Sequence, residues 1–185
     1  MNKFKLSLFF ILVAPLLSST AQAFEEYEFS ASEVRQLPPF CAGFPINFYR
    51  DDAKSLKRNI KVPGQHTHHF CHGMKEILRK NYAGAVKEFE YVQSQSTIQH
   101  ELLDSTSLYK AEALGMLGKT GPAIQEYNKA IQLNPKYHQA YERLADFYLK
   151  LGMKQDALDV INTGLKYSPN SKGLKRRLQK FTTQK

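Results

Sequence analysis

The chain has 185 residues, with 26 Lys and Arg against 17 Asp and Glu, six His, two Cys and no Trp. This length allows one domain and a tail, and 42% hydrophobic with 23% charged residues excludes a chain that is disordered throughout. Two cysteines exclude both a disulfide-dense scaffold and a zinc site made of four cysteines.

Residues 1–23 have the pattern of a secretory signal peptide. Lys3 and Lys5 supply the positive start, residues 6–17 form an apolar stretch, and an A-x-A cleavage site ends at Ala23. The apolar stretch is shorter than the roughly 20 residues that a membrane-spanning helix needs, which disfavours the alternative of an uncleaved anchor. We therefore expect an exported bacterial protein that is periplasmic or secreted.

The next segment, residues 24–65, has no sustained hydrophobic period and several helix-breaking prolines. We predict an irregular segment there, with one short helix over residues 51–58. Cys41 in this segment and the later Cys71 are the two cysteines of the chain. In an oxidising compartment such a pair forms a disulfide, which would tether the segment to the domain that follows. Ligation of a metal by the thiolates is the alternative.

From residue 66 onward the pattern is helical and repeats every 34 residues. Four pairs of residues recur at that spacing: Ala111 and Ala145, Gly118 and Gly152, Ala123 and Ala157, and Pro135 and Pro169. The alanines permit close helix packing, the glycines suit the left-handed residue after a helix, and the prolines end helices. This period with these features is typical of helix-turn-helix repeats stacked into a solenoid.

These residues resemble the tetratricopeptide repeat family, whose motif runs W-x2-L-G-x2-Y, then A-x3-F, then P. The best copy, residues 138–171, has Tyr141-x2-Leu144-Ala145-x2-Tyr148, Ala157-x3-Ile161 and Pro169. The copy at residues 104–137 departs from the motif at Ser107 and Lys110. A degenerate copy over residues 66–99 keeps Gly73, Tyr82, Ala85 and Phe89 but lacks the closing proline. Extra residues separate it from the next copy, and we expect them to lengthen the helices around residues 93–104.

The resemblance implies an all-α fold, a short right-handed α-solenoid of two or three helix pairs. The helix predicted in residues 172–185 has the apolar Leu174, Leu178 and Phe181 on one side and basic residues on the others. Such a helix covers the last apolar face of a solenoid. The predicted order is therefore signal peptide, irregular segment, repeats over residues 66–171, and a basic capping helix and tail.

In the family, the first helices of the repeats line a concave surface that binds an extended peptide or a helix of another protein. The positions that match the family's groove residues are Leu108, Glu112, Met116, Glu142, Asp146 and Leu149. Three of them are acidic, so we expect no clamp for a terminal carboxylate and a preference for an apolar or basic segment. No phosphate-binding loop, nucleophile elbow or H-E-x-x-H motif occurs, and we expect no catalysis.

Histidines cluster at the start of the repeat region, in the run Q-H-T-H-H-F-C-H-G. The ligand types that copper, zinc and nickel accept are present there as His66, His68, Cys71 and the neighbouring His69 and His72. His68 and His72 are four residues apart, which places them on one side of a helix. The alternative is that these side chains pack the N-terminal segment onto the first helix. Metal binding is therefore a second hypothesis, and we expect no other cofactor.

The function that the residues favour is a non-catalytic periplasmic adaptor or scaffold that binds another protein during assembly of a cell-envelope machine. Despite the formal net charge of +9, we expect no nucleic-acid partner for an exported protein. The basic C-terminal helix is a candidate for contact with an anionic envelope surface. A homodimer is a further expectation, because so short a solenoid gains stability by self-association.

Overall fold

The computed structural model describes residues 29–43 and 63–183, and the regular elements within these two ranges are all helical. The helices are α1 (Ala31–Gln36), α2 (Thr67–Leu78), α3 (Tyr82–Gln95), α4 (Leu103–Met116), α5 (Thr120–Leu133), α6 (His138–Lys150), α7 (Lys154–Tyr167) and α8 (Lys172–Thr183), and Pro39–Gly43 forms a 3-10 turn. The all-α expectation is confirmed. The signal peptide and the short helix predicted at residues 51–58 lie outside the described residues.

The helices from α2 to α7 form three antiparallel hairpins, α2–α3, α4–α5 and α6–α7, and each hairpin packs against the next. The final helix, α8, packs on both α6 and α7. Its Leu174 is fully buried, and Leu178 and Phe181 pack beside it against the core around Tyr141 and Ile161. The helix therefore covers the end of the array, in the manner that its apolar positions predict. In the part of the chain that the structure describes, no helix combines the length and apolar composition needed to cross a bilayer.

Small residues set the distance between the two helices of each hairpin. Ala111 and Ala145 are fully buried on α4 and α6. Gly73 takes the same place on α2, where an added Cβ would lie 2.5 Å from the ring of Phe89. A larger side chain at any of these positions would push the paired helices apart. The degenerate first copy thus also requires a small residue at this position, and there even an alanine would collide with Phe89.

The turns inside the hairpins require a left-handed residue after the first helix. Gly118 and Gly152 have φ values of +74° and +77°, as their spacing predicts. In the first hairpin the corresponding residue is Lys80, which adopts φ 60° without being a glycine. A side chain in this conformation costs free energy because its Cβ crowds the backbone.

The extra residues between the first two repeats do not lengthen the helices, so that prediction is wrong. Helix α3 ends at Gln95 and α4 begins at Leu103. The connection over residues 96–102 is held by His100, whose Nε2 atom lies 2.5 Å from the carbonyl oxygen of Gln65 and whose Nδ1 atom accepts a hydrogen bond from the Leu102 amide. These side-chain contacts favour a compact loop over additional helical turns.

Residues 29–43 are more ordered than the irregular segment that we predicted. Ser30 caps α1 by a reciprocal capping box with Glu33, a pattern that satisfies backbone groups at a helix start. Phe29, Val34 and Leu37 are buried in the same core as α2. A disulfide joins Cys41 to Cys71 at the inner face of that helix. The segment is therefore part of the first hairpin's hydrophobic core.

We predict that Lys80→Gly raises the free energy of unfolding by about 0.5–1 kcal/mol, because glycine adopts a positive φ without crowding. The matched change Gly118→Ala lowers it by about 1 kcal/mol. Urea unfolding followed by circular dichroism measures both. A loss of stability in Lys80→Gly would show that the lysine side chain makes a contact worth more than the backbone strain.

Candidate protein-binding groove

An open groove of about 590 Å³ lies where the last turns of α2, α4 and α6 come together. Its apolar lining consists of Ile77, Tyr82, Met116, Phe147 and Leu149, and its polar lining includes Glu112, Arg143, Asp146 and Lys150. All three hairpins contribute to it. The groove is therefore a property of the stacked array and exists in no single repeat.

Phe147 forms the aromatic floor of the groove. Its ring packs on Tyr127 with centroids 5.6 Å apart. Gly115 on α4 leaves room for the Phe147 ring, since a Cβ there would lie 2.8 Å from that ring. Burial raises the pKa of Tyr127 above its ordinary value, so the phenol stays neutral at physiological pH and the floor carries no charge.

Glu112 is the buried charge of the groove. Its side chain is 22% exposed, and the Arg143 Nε atom lies 3.1 Å from its Oε1 atom. The two groups form an ion pair, and no described residue donates a hydrogen bond to Oε1, which is itself buried. Burial raises the pKa of Glu112, against the opposing charges of Arg143 and Lys150. This oxygen can accept a hydrogen bond from a bound segment.

Four of the six predicted groove residues line the groove: Glu112, Met116, Asp146 and Leu149. The other two do not. Leu108 is 2% exposed and belongs to the hydrophobic core, so its assignment to the binding surface is wrong. Glu142 is held outside the groove lining by Ser171 and Arg177.

Arg177 of α8 is the residue near the groove that sequence reasoning missed. Its guanidinium donates two hydrogen bonds to Asp146, at 2.8 and 2.6 Å, and one to Glu142, at 2.9 Å. The Asp146 hydrogen bond raises the pKa of Arg177. Arg177 therefore neutralises Asp146 and Glu142, two of the three acidic residues from which we predicted that the groove prefers a basic segment. It also couples the capping helix to the concave side and is not part of a solvated basic face.

The departures from the family motif at Ser107 and Lys110 build a buried polar network. The Lys110 ammonium lies 3.0 Å from both Gln93 Oε1 and a Glu126 carboxylate oxygen. Gln93 Nε2 donates to Ser107 Oγ at 2.9 Å and to Glu126 at 2.8 Å. Each buried polar atom in this set has a partner, which is what allows polar residues inside the array.

His69 and His72 take the same two motif positions in the first repeat. They precede Gly73 by four and one residues, as Tyr141 and Leu144 precede Ala145. The His69 ring lies against Tyr91, with centroids 3.9 Å apart, and its Nδ1 is 2.7 Å from a Glu88 oxygen. The His72 ring packs against Phe29, 4.9 Å between centroids. The His72 contact matches the interpretation that these histidines pack the N-terminal segment onto the first helix, whereas His69 packs on α3.

The four predicted metal ligands, His66, His68, His69 and His72, are not brought together as a metal site. Within residues 29–43 and 63–183, no group of three or more His, Cys, Asp or Glu side chains is placed to hold a metal ion. Cys71 is bonded to Cys41, so its thiolate is not available as a ligand. Metal binding rests on the sequence pattern alone.

Comparison with known proteins identifies tetratricopeptide repeats in the second half of the repeat array. The family model described as "TPR repeat" matches residues 116–152, and the one described as "Tetratricopeptide repeat" matches residues 138–171. Two solved structures share the fold at 20% identity. The Sgt2 TPR domain from Aspergillus fumigatus has a TM-score of 0.56 and covers 66% of this chain and 81% of its own. MamA has a TM-score of 0.50, with 63% and 64% covered.

Curated relatives point to the same family. The chain is 26% identical over 109 residues to "Small glutamine-rich tetratricopeptide repeat-containing protein 2" of Mycosarcoma maydis, over 57% of this chain and 29% of the relative. The protein of the same name from Saccharomyces cerevisiae is 24% identical over 71% of this chain and 38% of its own length. "Inactive TPR repeat-containing thioredoxin TTL3" of Arabidopsis thaliana is 40% identical over 48 residues, 26% of this chain and 7% of the relative. This chain thus matches less than two fifths of the length of each relative.

The fold and the groove define a helical-repeat protein of the solenoid class. Residues 116–171 of this chain contain tetratricopeptide repeats. Stacked helical repeats present extended concave surfaces for binding, and the family and fold support the role of a protein-binding scaffold.

We predict that stability falls between pH 6.5 and pH 5 because of His72. Burial and the nearby Lys75 charge lower its pKa to about 4, so the unfolded state takes up a proton in this range before the folded state does. His72→Gln should reduce the loss by the order of 1 kcal/mol, allowing for partial exposure of the ring. Urea unfolding at pH 7 and pH 5 measures it, with the exposed His138→Gln as control. Equal slopes in both variants would contradict the assignment.

Proposed function

We propose that this protein is an exported, non-catalytic scaffold of the periplasm or the extracellular space, which binds a segment of another protein in its groove during assembly of a cell-envelope machine. The observation that carries the proposal is the groove shared by α2, α4 and α6, with the Phe147 floor and the unbonded Glu112 oxygen. Tetratricopeptide repeats in the relatives support a protein as the ligand.

The groove chemistry narrows the kind of segment. An apolar side chain of the partner packs on Phe147 beside the exposed Met116. An N–H group or a cation of the partner donates a hydrogen bond to Glu112 Oε1, which is ion-paired with Arg143 but accepts no hydrogen bond from the described residues, because a buried acceptor without a donor costs about 1–3 kcal/mol. Asp146 is already engaged by Arg177, so the apolar anchor contributes more than a run of basic residues does.

Two observations support export. Residues 1–23 have the charge, apolar stretch and cleavage motif of a signal peptide. The disulfide between Cys41 and Cys71 is a bond that persists in oxidising compartments and is rare in the cytosol.

The groove is tested by Met116→Glu, which places a charge beside the apolar floor. Met116 is 58% exposed, so the variant should fold normally. We expect it to weaken capture of the partner at least tenfold, by crosslinking in cells and quantitative pulldown. The control is Ile98→Glu, at a position that is 75% exposed in the loop between α3 and α4. If both variants recover the partner as well as the parent chain does, the groove is not the docking surface.

Export is tested by mass spectrometry and a thiol assay on the chain recovered from the cells that produce it. We expect the N-terminus at Phe24 and no reactive thiol, because Cys41 and Cys71 are bonded and nearly fully buried. A retained residue 1 together with two reactive thiols would place the protein in a reducing compartment and refute export.

A further inference from the structure

The three turns inside the hairpins are richer in exposed apolar side chains than the rest of the described surface. Six of the nine large hydrophobic side chains that are exposed in the described part of the chain lie in or beside them: Leu78, Met116, Leu117, Leu149, Leu151 and Met153. Scattered single apolar residues are ordinary on a surface, whereas a concentration of them marks an interaction site.

The same turns carry positive charge only. Residues 78–82, 116–121 and 149–154 contain five Lys and Arg residues and no Asp or Glu. The connections at the other end of the hairpins, residues 96–102, 134–137 and 168–171, contain one Lys and one Glu. Arg79 forms an ion pair with Glu33. The acidic residue that follows any of the three turns most closely is Asp156 in α7. Among the connections between the helices of the array, the positive excess is therefore found at one end only.

These turns lie together in space. The single groove described above is lined by the ends of α2, α4 and α6, at Ile77, Met116 and Leu149. The three turns follow directly after these ends. We define the turn edge as six exposed residues of the turns that do not line the groove: Lys80, Leu117, Lys119, Leu151, Met153 and Lys154.

We propose that the turn edge docks this protein on an anionic phospholipid surface. Exposed apolar and basic side chains occur close together in the turns, as in Leu117-Gly118-Lys119 and Leu151-Gly152-Met153-Lys154. Leucine and methionine enter the boundary of the acyl chains, while the long lysine side chains extend to the phosphate groups. This arrangement leaves the groove free, so one end of the scaffold binds the membrane while the concave side holds a partner protein.

Charge complementarity favours a lipid surface over an acidic protein. An acidic protein site would require each lysine to meet a carboxylate at a fixed place, whereas the turn lysines are exposed, lie in three different turns and have exposed apolar residues nearby. A fluid layer of anionic headgroups can meet such a set of lysines in any arrangement. Each lysine then increases the affinity for the surface roughly fivefold.

The proposal is tested by flotation of the protein with vesicles of phosphatidylethanolamine and phosphatidylglycerol, and with vesicles of phosphatidylcholine alone. The sample is the chain in the form that accumulates in the producing cell, with its N-terminus read by mass spectrometry, because residues 6–17 would bind lipid on their own. We expect binding to the anionic vesicles only.

Two triple variants and one control decide the outcome. Lys80→Gln, Lys119→Gln and Lys154→Gln together should weaken anionic-vesicle binding about a hundredfold, and Leu117→Ser, Leu151→Ser and Met153→Ser together should also abolish flotation. The control removes the same charge elsewhere, by Lys129→Gln, Lys136→Gln and Lys166→Gln, and should keep most of the binding. The lysine variants change exposed side chains only, so they remain informative if the apolar variant fails to fold.

Three results would overturn the proposal. The first is an absence of vesicle binding by the parent chain, and the second is an equal loss in the control and in the turn-edge lysine variant. The third combines two observations: the parent chain does not bind vesicles, and an acidic protein that it captures is missing from pulldowns of the turn-edge variants. This result would assign the turn edge to a protein partner. None of these readouts uses the groove variant Met116→Glu, so failure here leaves the scaffold function separately testable.

Discussion

The close approach of the two helices in each hairpin is the constraint on which the rest of the structure depends. It is permitted by small residues, Gly73 on α2, Ala111 on α4 and Ala145 on α6. On the facing helices Ala85, Ala123 and Ala157 are likewise fully buried. The tight pairs place the ends of α2, α4 and α6 side by side, and this creates the groove. The Phe147 floor depends in addition on the close approach of α4 and α6, which Gly115 permits.

Around this fixed spacing the array tolerates chemical change from one repeat to the next. The motif positions that hold Tyr141 and Leu144 in the third hairpin hold Ser107 and Lys110 in the second. The polar pair is accepted because Gln93 and Glu126 satisfy it. In the first hairpin histidines occupy these positions and pack on aromatic rings. The histidine run, which suggests metal binding by its composition, therefore has a packing role at two of its four positions.

The helix pairs, the glycine turns and the capping helix could be predicted from the sequence because each depends on local spacing. The capping box at Ser30 is also a local signal, visible in the run Ser30-Ala31-Ser32-Glu33, and it could have predicted α1. Other features depend on the packing of distant helices. The burial of Leu108 and the reach of Arg177 across to Asp146 follow from how neighbouring hairpins pack. No pattern in a single helix contains that information.

The central claim is that the stacked hairpins form a groove that binds a segment of another protein. Its most direct test places a photoreactive amino acid at position 116, in the groove, or at position 128, where Asn128 is exposed on α5, and irradiates living cells. The account predicts a discrete adduct with one partner protein from position 116 and none from position 128. The same adduct from both positions, or from position 128 alone, would contradict it.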